Sequence, residues 1–342
     1  MGSYVARKLA ERGNQVHIYD IEPKNRVFEA YSNITVHVGD VLGYDLDILG
    51  NDSIFVNMLP GEIGHKLTLE LARLDGRRIV DLSFSENTPG KLSDEDIGIG
   101  TKILWDVGIA PGLSNMFLSE AYGKLGRLKK AEIRVGGNPA EKIGGWNYMA
   151  PFSPRDVIAE YTRPARVVRD GAMVTLPALT ERHSIQVDGR GTMEAFLTDG
   201  LRSVIDSIPA EDMSEYTVRW PGHIERFIRE RESNSLDVDN LIEEWRFDSE
   251  VPEFTWMEVS AIDHLGNSME WIVNDIGDED GSSMARTTGL VTVGCIRAWI
   301  EDPDMLDPGI HAPESLSKNV VESIIDLMRE NGVEIVGPNV SK

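Results

Sequence analysis

The stretch Gly2-Ser3-Tyr4-Val5-Ala6-Arg7-Lys8-Leu9-Ala10-Glu11-Arg12-Gly13-Asn14-Gln15-Val16-His17-Ile18-Tyr19-Asp20 decides the fold. Val5, Leu9 and Ala10 share one helical face, Gly13 stops the helix, and residues 15–20 read as a short strand ending on a carboxylate. A glycine opening a helix, then a strand ending in an acid, is the second half of a dinucleotide-binding βαβ unit. Gly2 is its last glycine, and Asp20 is the acid that takes the ribose hydroxyls. The first strand and the two earlier glycines of that fingerprint do not precede Gly2. We expect in-frame coding sequence just upstream ending in Gly-x-Gly, because a sheet without its central strand leaves a buried edge unpaired. A chain that had lost them would be a non-catalytic relative binding a small molecule or a partner.

Working outward, strands are expected at residues 35–40, 53–59, 78–82 and 102–106, with a helix near 66–74. Most are short apolar runs, as strands covered on both faces require. Their alternation with helical segments predicts a Rossmann-type, doubly wound parallel sheet whose first strand is missing. The strands end at Asp20, Asp40, Pro60-Gly61, Asp81 and Asp106, and in such sheets ligands bind beyond the carboxyl ends. After Pro111 the pattern becomes strand-rich, at 131–136, 166–168, 173–176 and 182–187. A hairpin of 254–262 and 268–274 is closed by Asp263-His264-Leu265-Gly266-Asn267. These predict a second, α+β domain on a mixed or antiparallel sheet. Residues 136–154 form a long loop carrying Trp146 and Tyr148, and helices at 287–300 and 315–328 return to the first domain. The expected division is 1–124, 125–285 and 286–342.

Composition excludes several classes. The chain has 342 residues, 41% hydrophobic and 27% charged, enough for two globular domains. No apolar run reaches the roughly 20 residues that span a bilayer, and no signal peptide opens the chain. A single cysteine, Cys295, allows no internal disulfide or thiolate cluster and fits a reducing, cytoplasmic compartment. A net charge of -23 without a basic stripe argues against nucleic acid. The histidines lack metal-ligand spacing, so no metal is expected.

The chemistry concentrates at Asp106-Val107-Gly108-Ile109-Ala110-Pro111-Gly112-Leu113-Ser114-Asn115, where a strand ends in a carboxylate and a Gly-Pro-Gly turn opens a helix. This stretch resembles the Asp-x-Gly-x-x-Pro-Gly segment of the saccharopine dehydrogenase family, and within it the lysine 6-dehydrogenase branch. Residues 153–166 (Ser-Pro-Arg-Asp-Val-Ile-Ala-Glu-Tyr-Thr-Arg-Pro-Ala-Arg) and 194–203 (Glu-Ala-Phe-Leu-Thr-Asp-Gly-Leu-Arg-Ser) are similar to the same family. So are Arg219-Trp220-Pro221-Gly222-His223 and Ser282-Ser283-Met284-Ala285-Arg286. The likeness runs from Gly2 to the last helix. It implies an NAD-dependent oxidation of the ε-amine of free lysine to the semialdehyde with release of ammonia, in a homodimer. A reductase joining an aldehyde to an amine, as in saccharopine or carboxynorspermidine formation, is the sister chemistry.

That reaction needs a base, since only the free amine can expel a hydride. Asp106 is the candidate for that base or for activating water, the other reading being a cap on the following turn. His223, placed by Trp220-Pro221-Gly222 at a helix start and exposed there, is a neutral acid or base, or a partner of the turn. The substrate carboxylate wants an arginine fork, for which Arg155, Arg163 and Arg286 are the candidates and Arg163 is preferred. Tyr161 belongs to the same block. Arg286 either faces a cleft or braces it, and Asp156 reads as serving the helix start after Ser153-Pro154. Asp20 favours NAD by repelling a 2′-phosphate, although Lys24 and Arg26 could accommodate one, so NADP stays open. By strand order in similar proteins, Asp40 lies on the adenine side, and Leu59, Pro60, Gly61 and Asp81 lie nearer the nicotinamide.

Overall fold

The computed structural model describes residues 1–341 except 24, 47–49 and 51. The chain forms two compact units, residues 1–108 with 288–327 and residues 109–287 with 328–342.

In the first unit, α1 (Gly2–Ala10) buries Tyr4, Val5, Ala6, Leu9 and Ala10, the stripe its sequence spacing predicts. It leads to β1 (Val16–Asp20), which pairs in parallel with β2 (Ile34–Val38). Next come β3 (Ile54–Asn57), α2 (Gly61–Ala72), β4 (Arg78–Asp81) and β5 (Lys102–Trp105). β3, β4 and β5 pair in parallel, and Ile79, Val80, Ile103 and Leu104 are fully buried. Unbroken apolar runs are what a strand buried on both faces needs.

The second unit opens with α3 (Leu113–Leu125) and the long β6 (Leu128–Pro139). It continues through α4 (Pro154–Thr162), β7 (Ala165–Arg169), β8 (Ala172–Leu176), β9 (His183–Val187), β10 (Gly191–Leu197), α5 (Val204–Ser207) and β11 (Ala210–Arg219). Then come α6 (His223–Glu232), α7 (Val238–Glu244), β12 (Glu253–Asp263) and β13 (Ser268–Ile276). The hairpin turn is as expected: Asp263 accepts from the backbone N–H of Leu265 and Asn267, and Gly266 takes φ 92°. α8 (Ser283–Glu301) crosses into the first unit, where β14 (Gly309–His311) adds a parallel strand beside β5. After α9 (Lys318–Glu330), β15 (Glu334–Ser341) returns to the second unit and pairs with β13.

The second sheet has nine strands. Its main path runs β15-β13-β12-β6-β11-β10-β9, and β7 pairs with β11 and β8. β6 and β11 are parallel and the other pairs antiparallel, so the sheet is mixed. α3 covers one face, with Phe117 stacked on Trp271 at 5.0 Å. α4, α6 and α7 gather around Trp146, Tyr148, Tyr161, Phe196, Phe227 and Trp245 in a separate apolar cluster.

The compact units divide the chain at 108/109 rather than 124/125, because α3 packs on β6, β12 and β13. The tail past residue 327 likewise belongs to the second sheet, through β15, not to helices of the first unit.

Candidate active site

Chain reversals at the ends of the parallel strands of the first unit place most of the predicted residues there. Gly2 opens α1, and a Cβ on it would meet Met58 Sδ at 3.9 Å. Asp20 is exposed at the end of β1, its Oδ1 accepting from the backbone N–H of Glu22 at 2.8 Å. Arg26 is also exposed, whereas Lys24 lies outside the described residues. Asp40 caps the next turn through the backbone N–H of Leu42 at 3.0 Å. Beyond β3, Pro60 is the cap residue of α2, and Gly61 begins it with φ 28°. Asn57 holds this corner together. Its Nδ2 donates to Gly64 O at 2.7 Å, Thr68 Oγ1 at 2.8 Å and Asp81 Oδ1 at 3.0 Å, while its Oδ1 accepts from the N–H of Leu59 at 3.1 Å.

Asp81 and Asp106 stand at the ends of the adjacent strands β4 and β5, and both are buried. Burial pushes the Asp81 carboxyl up to about 7, with the Asp106 charge adding to it and hydrogen bonds from Ser83 and Thr68 opposing it. Asp106 itself takes φ 58°, a left-handed conformation uncommon outside glycine. Its carbonyl accepts from the N–H of Gly108 at 3.1 Å, so the chain reverses directly after the carboxylate.

In the second unit the Pro111-Gly112 turn is fixed by Asn115, whose Oδ1 accepts from the N–H of Gly112 at 3.2 Å and from Ser114 Oγ at 3.0 Å. Ser153 caps α4 through the N–H of Asp156, and Pro154 sits in the first turn, which accounts for Asp156 as the sequence reading has it. Further on, Tyr161, His223 and Arg219 form a buried relay. The backbone O of Trp146 lies 3.0 Å from His223 Nδ1 and can only accept, so Nδ1 carries the proton. Nε2 therefore accepts from the Tyr161 hydroxyl at 3.2 Å, and that oxygen accepts from Arg219 Nε at 2.8 Å. Burial and the neighbouring Arg219 charge push His223 down to about 3, so it stays neutral. Burial also raises Tyr161 well above the usual phenol range.

One expectation is corrected here, and a second, left open between two readings, is narrowed. His223 does begin α6, but it is 1% exposed rather than presented to solvent, because Trp146, Tyr148 and Trp245 pack around its ring. Arg286 is a brace. Its guanidinium donates to both oxygens of Asp275, to Asp278 Oδ2 and to the backbone O of Asn331, which ties α8 to the β13 end and to the turn before β15. Arg155 lies on the surface, paired with Asp239 at 3.1 Å. Arg163 shares the buried Asp199 with Arg166, at 3.1 and 2.9 Å.

Sequence reasoning missed Asn57, Asp199, Glu160 and Glu215. Thr217 Oγ1 donates to Glu160 Oε1 at 2.7 Å, and Thr198 Oγ1 donates to Glu215 Oε2 at 2.6 Å beside it. Gly200 was the available signal: a Cβ there would lie 2.5 Å from the Glu215 carboxyl carbon, so a glycine marks where the carboxyl needs room.

Residues 108–270 match the saccharopine dehydrogenase C-terminal domain family. That range carries Tyr161, Arg163, Asp199, Arg219 and His223. The chain also has the fold of saccharopine dehydrogenase (L-Glu forming) from Saccharomyces cerevisiae, in its apo form. The TM-score is 0.73 at 15% identity, covering 99% of this chain and 98% of that one. The homospermidine synthase of Legionella pneumophila, solved in complex with NAD, is similar at TM-score 0.65 and 13% identity, covering 94% and 85%. At these identities the likeness is one of fold. Among the described residues, no helix is long and apolar enough to cross a membrane.

Proposed function

We propose that this protein is an NAD-dependent dehydrogenase of the lysine 6-dehydrogenase kind, oxidising the ε-amine of L-lysine to the 6-semialdehyde with release of ammonia. The observation that carries the reading is Asp106, a buried carboxylate held at a parallel-strand terminus by a left-handed residue and a tight reversal. Such an ordered acceptor, shielded from bulk water, is what removing a proton from an ammonium requires. Two parts of a cofactor site are present: the α1 start would suit a pyrophosphate, and the exposed Asp20 would suit two ribose hydroxyls and disfavour a 2′-phosphate. The chemistry NAD would supply is acceptance of a hydride; the chain would supply the base, at Asp106, and a buried setting for it. Arg163 is the arginine proposed for the substrate carboxylate, and a homodimer is proposed for the active protein.

A second reading, reductive joining of an aldehyde and an amine, is favoured by the concentration of Arg163, Arg166 and Arg219 in the second unit, which suits a further carboxylate. NADH formation with L-lysine and NAD separates the two. Turnover abolished by Asp106→Asn supports the dehydrogenase. Reduced-cofactor consumption only with an aldehyde plus an amine moves the assignment to the reductase, and silence in both directions to a non-catalytic relative.

A further inference from the structure

Asp81 has no part in the reaction outlined above, yet it is the more deeply set of the two strand-end carboxylates, at 1% exposure. β4 and β5 run parallel with Asp81 opposite Trp105, so Asp106 is the next residue beyond Asp81's partner. The N–H of Val107 donates to the backbone O of Asp81 at 3.3 Å, which holds the two strand ends together. Asp81 Oδ1 accepts from Asn57 Nδ2 at 3.0 Å and from the N–H of Ser83 at 2.9 Å. Oδ2 is buried and has no well-formed hydrogen bond among the described residues. The groups acting on Asp81 are Asn57 from β3, Thr68 from α2, Ser83 from its own loop and the charge of Asp106, one residue past its strand partner. Three of these are neutral, and the fourth carries the same charge.

A lone carboxylate is a poor base toward an ammonium, because their ordinary proton affinities differ by about 6 pK units. Two carboxylates in one dry site cannot both ionise easily, and the pair holds a proton more tightly than either member alone. Resting on the dehydrogenase reading, we propose that Asp81 and Asp106 act as one base, Asp81 being the positioning residue whose charge raises the proton affinity of Asp106. The doubly ionised pair takes the proton: the substrate N–H bond breaks, an O–H bond forms on the pair, the nitrogen lone pair is freed, and the proton leaves to solvent after turnover.

Asp81→Asn tests this, because asparagine keeps the Oδ1 acceptor and the shape of the protonated acid. The ligand-free protein is titrated by infrared difference spectroscopy at the protonated-carboxyl stretch, alongside Asp81→Asn and Asp106→Asn. The native protein should show a buried carboxyl titrating near neutral pH. That signal should vanish in Asp81→Asn or move down to the ordinary carboxylate range, and it should move to lower pH in Asp106→Asn. In turnover, Asp81→Asn should shift the acid limb of kcat/KM to lower pH and lower its plateau by roughly tenfold or more. A merely structural Asp81 would lower the rate and leave the limb in place, which overturns the proposal, as does an infrared midpoint indifferent to Asp106→Asn. Native protein inactive on lysine defeats the dehydrogenase reading instead, and the titration still decides whether the carboxylates are paired.

Discussion

Glu215 sits where a charge is costly. It is 3% exposed, and burial first and the nearby Glu160 second push its carboxyl up to about 8. An unfolded chain releases that proton near the ordinary value of 4.5. Through the window between those values the native state binds more protons than the unfolded one, so stability falls as pH rises and levels off above it. Glu215→Gln removes this slope while keeping an acceptor for Thr198. Thermal melts should therefore show the variant gaining on the native protein from about pH 5 to about pH 8; parallel curves would show that Glu215 titrates normally. Arg286 teaches a related lesson. Its residue type and its block pointed equally to a ligand and to a brace, and only the positions of Asp275, Asp278 and Asn331, distant or unremarkable in sequence, decide for the brace.

At the scale of elements, α2 shows why glycine sits inside a helix that would prefer alanine. A Cβ on Gly64 would lie 2.4 Å from Ser83 Cβ and 2.7 Å from Leu59 O, so the helix meets the strand ends across that position. Gly64→Ala should cost about 1–3 kcal/mol of stability from overpacking, read as a lowered denaturation midpoint at unchanged slope. An unchanged midpoint would show that the corner can yield. The parallel strands of the first unit were legible because they are continuous apolar runs between turn residues. β11 was not, because Glu211, Asp212, Glu215 and Arg219 interrupt its alternation although most of the strand is buried. β15 was hidden by Gly337 and Pro338, which break a central strand but are tolerated where one side lacks a neighbour. The same cause hid half of the candidate site. The strand-end aspartates announce themselves by position, whereas the Glu160–Thr217 and Thr198–Glu215 contacts join residues that no local pattern links.

At the scale of the whole molecule, the chain passes from one unit to the other at 108/109, 287/288 and 327/328, so neither unit is a continuous piece of sequence. β15 supplies the outer edge of the nine-stranded sheet, with its register running from Ser268↔Ser341 to Asn274↔Glu334. A chain ending before Glu334 should leave β13 with an open row of backbone groups, an invitation to edge-to-edge association. Light scattering on heating should then rise at a lower temperature than for the native protein, and equal onsets would show that β15 is dispensable. The position of β15 also bears on how the protein is made. During synthesis every other strand of the second sheet emerges before it, so the nascent chain carries an uncapped β13 while α8, β14 and α9 are still being added. The vulnerable interval is therefore set by translation speed over those segments, and a slow stretch of codons there would be felt as a loss of yield with no change in the finished fold.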